Sequence, residues 1–438
     1  MNKLTARAAA LRALVALDRD GVERLRDALT QTAAGLDARD RAFAFELAHG
    51  VLRRERCLDH ALAGLAHRGL PPNPFVRGAL RLGAFQLLFV KGMASHAAVN
   101  ETVALVPKSS GFVNAMLRQL GQAIVVRAPL DERRDLALGD GRILQLREPL
   151  PKDEPARLAI VHSLPDFLVA RWWTQFGSAT RGIVAAASST PDVFLRLAQD
   201  EQAETFGHEL GAAGVEVAPT SHPRLVRWTG GGSPFATAAF ASGRFAVQDP
   251  TALLAAEAVP CGPGDTVVDL CAAPGTKSTV LAERVRPGGR VFAHDIDATR
   301  RQRIVENVAR LRLQDVVTVV ADAAKLPPAD AVLADVPCSN TGVLSRRVEV
   351  RRRLRPETFA ELVPLQRRLL AQAISLCKPG GVVVYSTCSI DDEENAAVVK
   401  SVLADPATPR CEPGEAQRTL PRAGECDGGY YAVLRRRG

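Results

Sequence analysis

Residues 265–278, "DTVVDLCAAPGTKS", decide the fold. The apolar run at their start is short, β-branched and uninterrupted, without the in–out alternation of a half-exposed strand, so it reads as a parallel strand covered on both faces. The small residues and Gly275 behind it let a ligand approach the backbone before a helix predicted to start near Ser278. The same rhythm returns in "GRVFAHD" (289–295), "VVTVV" (316–320), "DAVLAD" (330–335) and "GVVVYS" (381–386), with helical segments between. From about residue 246 the chain therefore predicts an open, doubly wound α/β sheet, in which ligands sit beyond the carboxyl ends of the strands.

Laid parallel, the strands bring their last residues to one rim. These are Asp269 with "CAAPGTK", then Asp295, Asp322, Asp335 with "VPCSNTG", and Cys388 in "YSTCSIDDEEN" (385–395). An acid after the second strand commonly accepts from ribose hydroxyls, and one after the third can meet an adenine amino group. The plainer reading of each acid is a helix N-cap, which suits Asp297. Five strand ends carrying an acid or a cysteine read together as a cofactor site with a reactive centre beside it.

Upstream, residues 4 to about 125 are helical almost throughout. In "DRAFAFELAHGVLRRERCLDHALAGLA" (40–66) apolar residues recur at three and four, and "PFVRGALRLGAFQLLFV" (74–90) opens with Pro74 in the favoured first position. Residues 126–156 mix charge, proline and glycine without a period, and predict a linker holding at most one short helix. Residues 157–245 alternate "LPDFLVARWWTQFG", "DVFLRLA", "ETFGHELGAAG", "VEVAP" and "RLVRWTG", which predicts a small α+β module. Of Trp172 and Trp173, adjacent on a helix and facing different ways, at least one should anchor the core.

The 438 residues call for two or three domains, and no apolar window reaches the roughly 18 residues of a membrane span. Arg7 and Arg12 interrupt the first apolar stretch, which reads as a bundle helix and not a signal peptide. Eight cysteines without a CxxC pair predict a reducing cytoplasm and no metal. A net charge of +8 favours a polyanionic partner. The six arginines of "SRRVEVRRRLRPE" (345–357), directly beyond Cys338, read as a phosphate-binding edge, with a solvated helix as the bland alternative.

"DLCAAPGTKS", "DVPCSNTG" and "YSTCSIDDEEN", in this order, resemble the S-adenosylmethionine loop and the two cysteine motifs of the RNA cytosine-5 methyltransferase family. "HAAVNETV" (96–103) and "FVNAMLRQL" (112–120) resemble a NusB-like RNA-binding domain, a pairing typical of the Fmu/Sun branch. The resemblance implies a multidomain chain: a NusB-like bundle (1–125), the linker, an RNA-binding module (157–245) and a Rossmann-like methyltransferase domain (246–438). It implies a monomer that methylates carbon 5 of an unstacked cytosine in small-subunit ribosomal RNA.

It further implies Cys388 as the nucleophile, Cys338 as the residue assisting release, and Asp335 as the acid beside the base. Cofactor contacts fall to Cys271, Ala272, Ala273, Pro274, Gly275, Thr276, Lys277, Asp295, Asp322 and Asp335. The loop has "PGTK" for the usual "PGGK", and Asn340 stands where Gly or Ala is common. Transfer RNA or large-subunit RNA as substrate, exchanged cysteine roles, and a non-catalytic RNA-binding factor stay open at this point.

Overall fold

Alanine and leucine at helical spacing build the first six helices, Ala6–Arg19, Leu25–Thr32, Ala38–Ala63, Pro74–Phe89, Ser95–Val103 and Ser110–Gln122. The structure is a computed structural model describing residues 4–19, 24–129 and 131–438. Residues 1–3 and 20–21 of the opening segment, and Leu130 of the expected linker, lie outside the described residues. Asp37 caps its helix by accepting from the Asp40 N–H at 2.8 Å, and Asn73 caps the helix that begins at Pro74. The apolar faces of these helices meet in one core, with the Gln86 side chain buried among them and donating to Thr102 at 3.1 Å.

The chain divides into two compact units, Met1–Ser189 with Leu344–Leu354, and Thr190–Val343 with Arg355–Gly438. Two expectations change in the first. Residues 126–156 are not a bare linker: Ile124–Val126, Asp135–Ala137 and Arg142–Gln145 form an antiparallel sheet. Leu136, Leu144, Leu146 and Leu150 from this stretch join the helical core, so its short apolar residues have a burial face that periodicity did not reveal. Helices Glu154–Val161, Asp166–Phe176 and Thr180–Ser188 also belong to this unit, which therefore extends past the boundary expected near 156. Trp172 is fully buried there, while Trp173 lies under the Arg181 guanidinium.

The arginine run is the second correction. Residues 344–354 pack into the first unit, where Val348 enters the core. The buried Arg351 guanidinium donates to the carbonyls of Arg53 (3.1 Å), Ala187 (2.8 Å) and Leu344 (3.0 Å). Burial and the nearby Arg53 and Arg54 lower its pKa to about 9. Arg352 is paired with Glu55 and Asp18. Two of the six arginines are thus structural rather than part of a phosphate edge.

In the second unit an antiparallel sheet runs in the order Val215–Pro219, Leu225–Gly231, Val193–Leu197, Phe245–Val247, with helix Ala203–Ala212 against it. The α+β pattern expected for 157–245 is present from Val193 onward. From this sheet the buried Arg196 reaches Glu283 (2.9 Å) and Thr279 (2.9 Å) on helix Thr276–Val285, which ties the sheet to the helix of the cofactor loop.

The large sheet has seven strands, numbered here β1 (Thr266–Asp269), β2 (Arg290–His294), β3 (Val317–Val320), β4 (Ala329–Asp335), β5 (Cys377–Thr387), β6 (Cys411–Thr419) and β7 (Gly429–Arg436). Their order is β3-β2-β1-β4-β5-β7-β6. The five parallel strands are those predicted; β7 enters antiparallel between β5 and β6 and was not anticipated. Apolar residues fill both faces, as the unbroken valine runs require. The order reverses between β1 and β4, which sets a crevice at their carboxyl ends.

Candidate active site

Strand register brings the two cysteine motifs together. Asp335 at the end of β4 is opposite Ser386 of β5, so Cys338 and Cys388 leave neighbouring strand ends. Their Sγ atoms lie 3.1 Å apart. Backbone bonds hold the loops in this register: Val336 N–H donates to Ser386 O (3.0 Å), and Gly342 N–H to Cys388 O (2.9 Å). A side chain at 342 would place its Cβ 2.8 Å from that same carbonyl, so only glycine permits the approach.

Cys388 opens into a pocket whose walls also include Lys277, Asp335, Ser386, Thr251 and Tyr431. Cys338 is 9% exposed and stands behind it. Its hydrogen bond with Cys388, and then burial, push the Cys338 thiol well above the ordinary cysteine range, so it keeps its proton at neutral pH. Asn340 takes a left-handed conformation, φ 61°, and bridges the pair. Its amide donates to Cys338 O at 2.7 Å and its side-chain oxygen accepts from the Cys388 thiol at 3.3 Å.

The acids of "DDEEN" divide between buried and solvated positions. The α-helix that follows Cys388 begins only at Ala396, past these acids. Asp391 and Glu394 are buried and serve as acceptors instead. Thr341 donates to Asp391 at 2.6 Å, while Ser339 N–H and Gln366 each donate to Glu394 at 2.8 Å. Both acids therefore grip the loop that carries Cys338.

Asp335 accepts from Lys277 Nζ at 2.6 Å and from Ser386 Oγ at 2.9 Å. Lys277 is no surface charge, its side chain being 14% exposed. Burial alone would lower its pKa, but Asp335 and Asp269 raise it on balance, so it stays an ammonium.

Around the cofactor loop, Ala272 N–H bonds His294 O of β2 at 2.7 Å, and Gly275 caps helix Thr276–Val285 at φ 97°. A Cβ on Gly275 would lie 3.1 Å from Ile304, so conformation and space both require glycine. Cys271, Ala273, Pro274 and Thr276 complete the turn, and burial raises the Cys271 thiol. At the end of β1 the buried Asp269 accepts from Ser278 at 2.7 Å, but its second oxygen has no partner. Beyond β2, Asp295 is 3% exposed beside Arg300, and Ile296 is 89% exposed. An orphaned buried carboxylate oxygen for a cationic group, an acid for hydroxyls and a bare aliphatic side chain for a flat ring fit S-adenosylmethionine. Asp322 is exposed and accepts from Ala324 N–H at 3.0 Å, the capping alternative; Asp297 caps its helix as expected.

Burial raises the Asp269 pKa to about 7, assisted by the charges of Asp335 and Asp295 and opposed by Ser278 and Lys277. Between roughly pH 4 and this value the folded chain holds a proton here that the unfolded chain has lost. Stability contributed by Asp269 is thus full below about pH 4, falls by on the order of 4 kcal/mol as pH rises to about 7, and is flat above. Asp269→Asn should remove that slope in urea melts of the cofactor-free protein. An unchanged pH profile in the variant contradicts the assignment.

Comparison with known proteins gives a consistent set of likenesses. The family described as 16S rRNA methyltransferase RsmB/F matches residues 257–435, and the NusB family matches residues 4–122. "Ribosomal RNA small subunit methyltransferase B" of Thermus thermophilus is 32% identical, the match covering 100% of this chain and 99% of that protein. The solved structure of PH0851 aligns over 99% of both chains with a TM-score of 0.76 at 24% identity. NSun6 from Pyrococcus horikoshii, solved with SFG, aligns over 62% of this chain and 98% of its own with a TM-score of 0.54 at 20% identity. At these identities the two structures speak for the fold.

Proposed function

The chain belongs to the RsmB/F family of 16S rRNA methyltransferases, and from that premise we propose that it methylates carbon 5 of a cytosine in small-subunit ribosomal RNA through a covalent cysteine adduct. One observation carries the reading: two thiols 3.1 Å apart at adjacent strand ends, of which one opens into a pocket shared with Asp335 and Lys277. A non-catalytic RNA binder has no use for that arrangement.

Carbon 5 of cytosine is a poor nucleophile. Addition of the Cys388 sulfur at carbon 6 converts the ring to an enamine whose carbon 5 can take a methyl group. S-adenosylmethionine supplies that methyl as a sulfonium when bound, with Asp269, Asp295 and the loop 271–277 as the residues that would hold it. Asp335, fixed between Lys277 and Ser386, accepts from the amino group of the base and orients it over Cys388. Solvent water then takes the carbon 5 proton, and the electron pair left behind expels the Cys388 sulfur as a thiolate, which Cys338 assists by donating its S–H to it. The base must leave its stack to reach Cys388, which favours a single-stranded or bulged site.

The test offers methyl-labelled S-adenosylmethionine with purified 16S, 23S and transfer RNA, and maps products by bisulfite sequencing. Label confined to one or a few 16S cytosines, protected as 5-methylcytosine, is expected. Label in 23S or transfer RNA moves the substrate, and a modified base other than 5-methylcytosine removes the mechanism.

A further inference from the structure

A second cavity, of about 600 Å³, adjoins the Cys388 pocket, and Thr251, Gln417 and Thr419 line both. Its size falls within the roughly 300–1,000 Å³ of ligand sites. One wall is apolar, with Leu225 and Phe194 buried in it and Leu254 36% exposed. Two guanidiniums also line the cavity. Arg227 donates to Gly424 O at 3.1 Å, and Arg422 pairs with the exposed Glu425 at 2.9 Å. Such a surface pair holds weakly and yields readily to a phosphate. His222, also lining the cavity, bonds Glu257 at 3.1 Å.

None of this serves the methyl transfer derived above. A cytosine taken out of its stack leaves the adjoining base without a stacking partner on one face. A strand entering the Cys388 pocket must also continue past its shared wall. We infer that this cavity receives the nucleotide adjoining the target in the RNA strand, its base on the Leu225–Leu254 wall and its phosphate at Arg227 and Arg422. The inference rests on the cytosine reading and adds to it a site that selects one flank.

The test uses the full chain and short single-stranded RNAs containing the target cytosine, in which the nucleotide on one flank or the other is abasic. Loss of the base on the occupied flank should raise KM roughly tenfold with kcat nearly unchanged, as expected for one stacked base. Loss on the other flank should change neither. Arg422→Ala, at a side chain 65% exposed, should reduce the salt slope of KM by about one while the fold is retained. Leu254→Ser should make the enzyme indifferent to the abasic flank. Parent RNA methylated with the same KM as both abasic RNAs, or an unchanged salt slope in Arg422→Ala, overturns this site alone. A chain that methylates no cytosine in the parent RNA overturns both this inference and the cytosine reading.

Discussion

Alanine at position 388 lowers cytosine methylation at least about a thousandfold, equivalent to roughly 4 kcal/mol of transition-state stabilisation. It also ends covalent capture of RNA carrying 5-fluorocytosine, where fluorine at carbon 5 replaces the proton that must leave and so traps the adduct. The assignment to this cysteine follows from exposure and not from motif order. Cys388 lines the pocket with Asp335 and Lys277, whereas Cys338 is 9% exposed behind it. The two sulfurs lie 3.1 Å apart, and a hydrogen bond that the Cys338 thiol donates to Cys388, reinforced by burial, holds the Cys338 proton in place.

The companion variant separates attack from release. Cys338→Ala leaves the attacking thiol in place, so adduct still forms and then accumulates on ordinary RNA, visible as a slow-migrating protein band with unmodified substrate. Capture of fluorinated RNA by Cys388→Ala would transfer the attack to Cys338. Failure of Cys338→Ala to accumulate adduct, with turnover intact, would leave its thiol without a role.

What was legible in the sequence was local. The parallel strands announce themselves through unbroken β-branched runs, and their ends carry Asp269, Asp295, Asp335 and Cys388 to one rim by topology alone. Asp297 is a cap set by a donor three residues on. The unforeseen features depend on distant partners. Arg351 is buried because carbonyls 298 and 164 positions away accept its protons, and nothing in an arginine run tells this from a solvated face. Strand β6 is hard to read because "CEPGEAQRT" is polar, exposed and broken by proline and glycine, as sheet edges often are. The grip of Glu394 was hidden in the same way, its partner Ser339 lying 55 positions earlier.

That grip yields the second large effect. Glu394 is fully buried, and its carboxylate accepts from Ser339 N–H, the Ser339 hydroxyl and the Gln366 amide, which also donates to Pro337 O at 3.0 Å. Tyr385 donates to the Glu394 carbonyl at 2.6 Å and fixes the backbone beneath it. The residues clasped, 337 and 339, flank Cys338 on both sides. Alanine at 394 leaves the buried Ser339 N–H without its acceptor and takes one bond each from the Ser339 hydroxyl and Gln366, at a cost of about 3 kcal/mol. The freed loop lets the Cys338 sulfur wander from its partner, so release slows by on the order of a hundredfold, the scale of a misplacement near 1 Å. Glu394→Gln keeps an oxygen for Ser339 N–H and Gln366, and the serine hydroxyl can turn to accept from the new amide, so it should lie within about 1 kcal/mol of the parent. Melting curves and single-turnover release rates for both variants check the pair. A folded Glu394→Ala protein that releases methylated RNA at the parent rate would show that the loop needs no clasp, and the sulfur geometry would then have to be held by Val336, Asn340, Gly342 and Asp391.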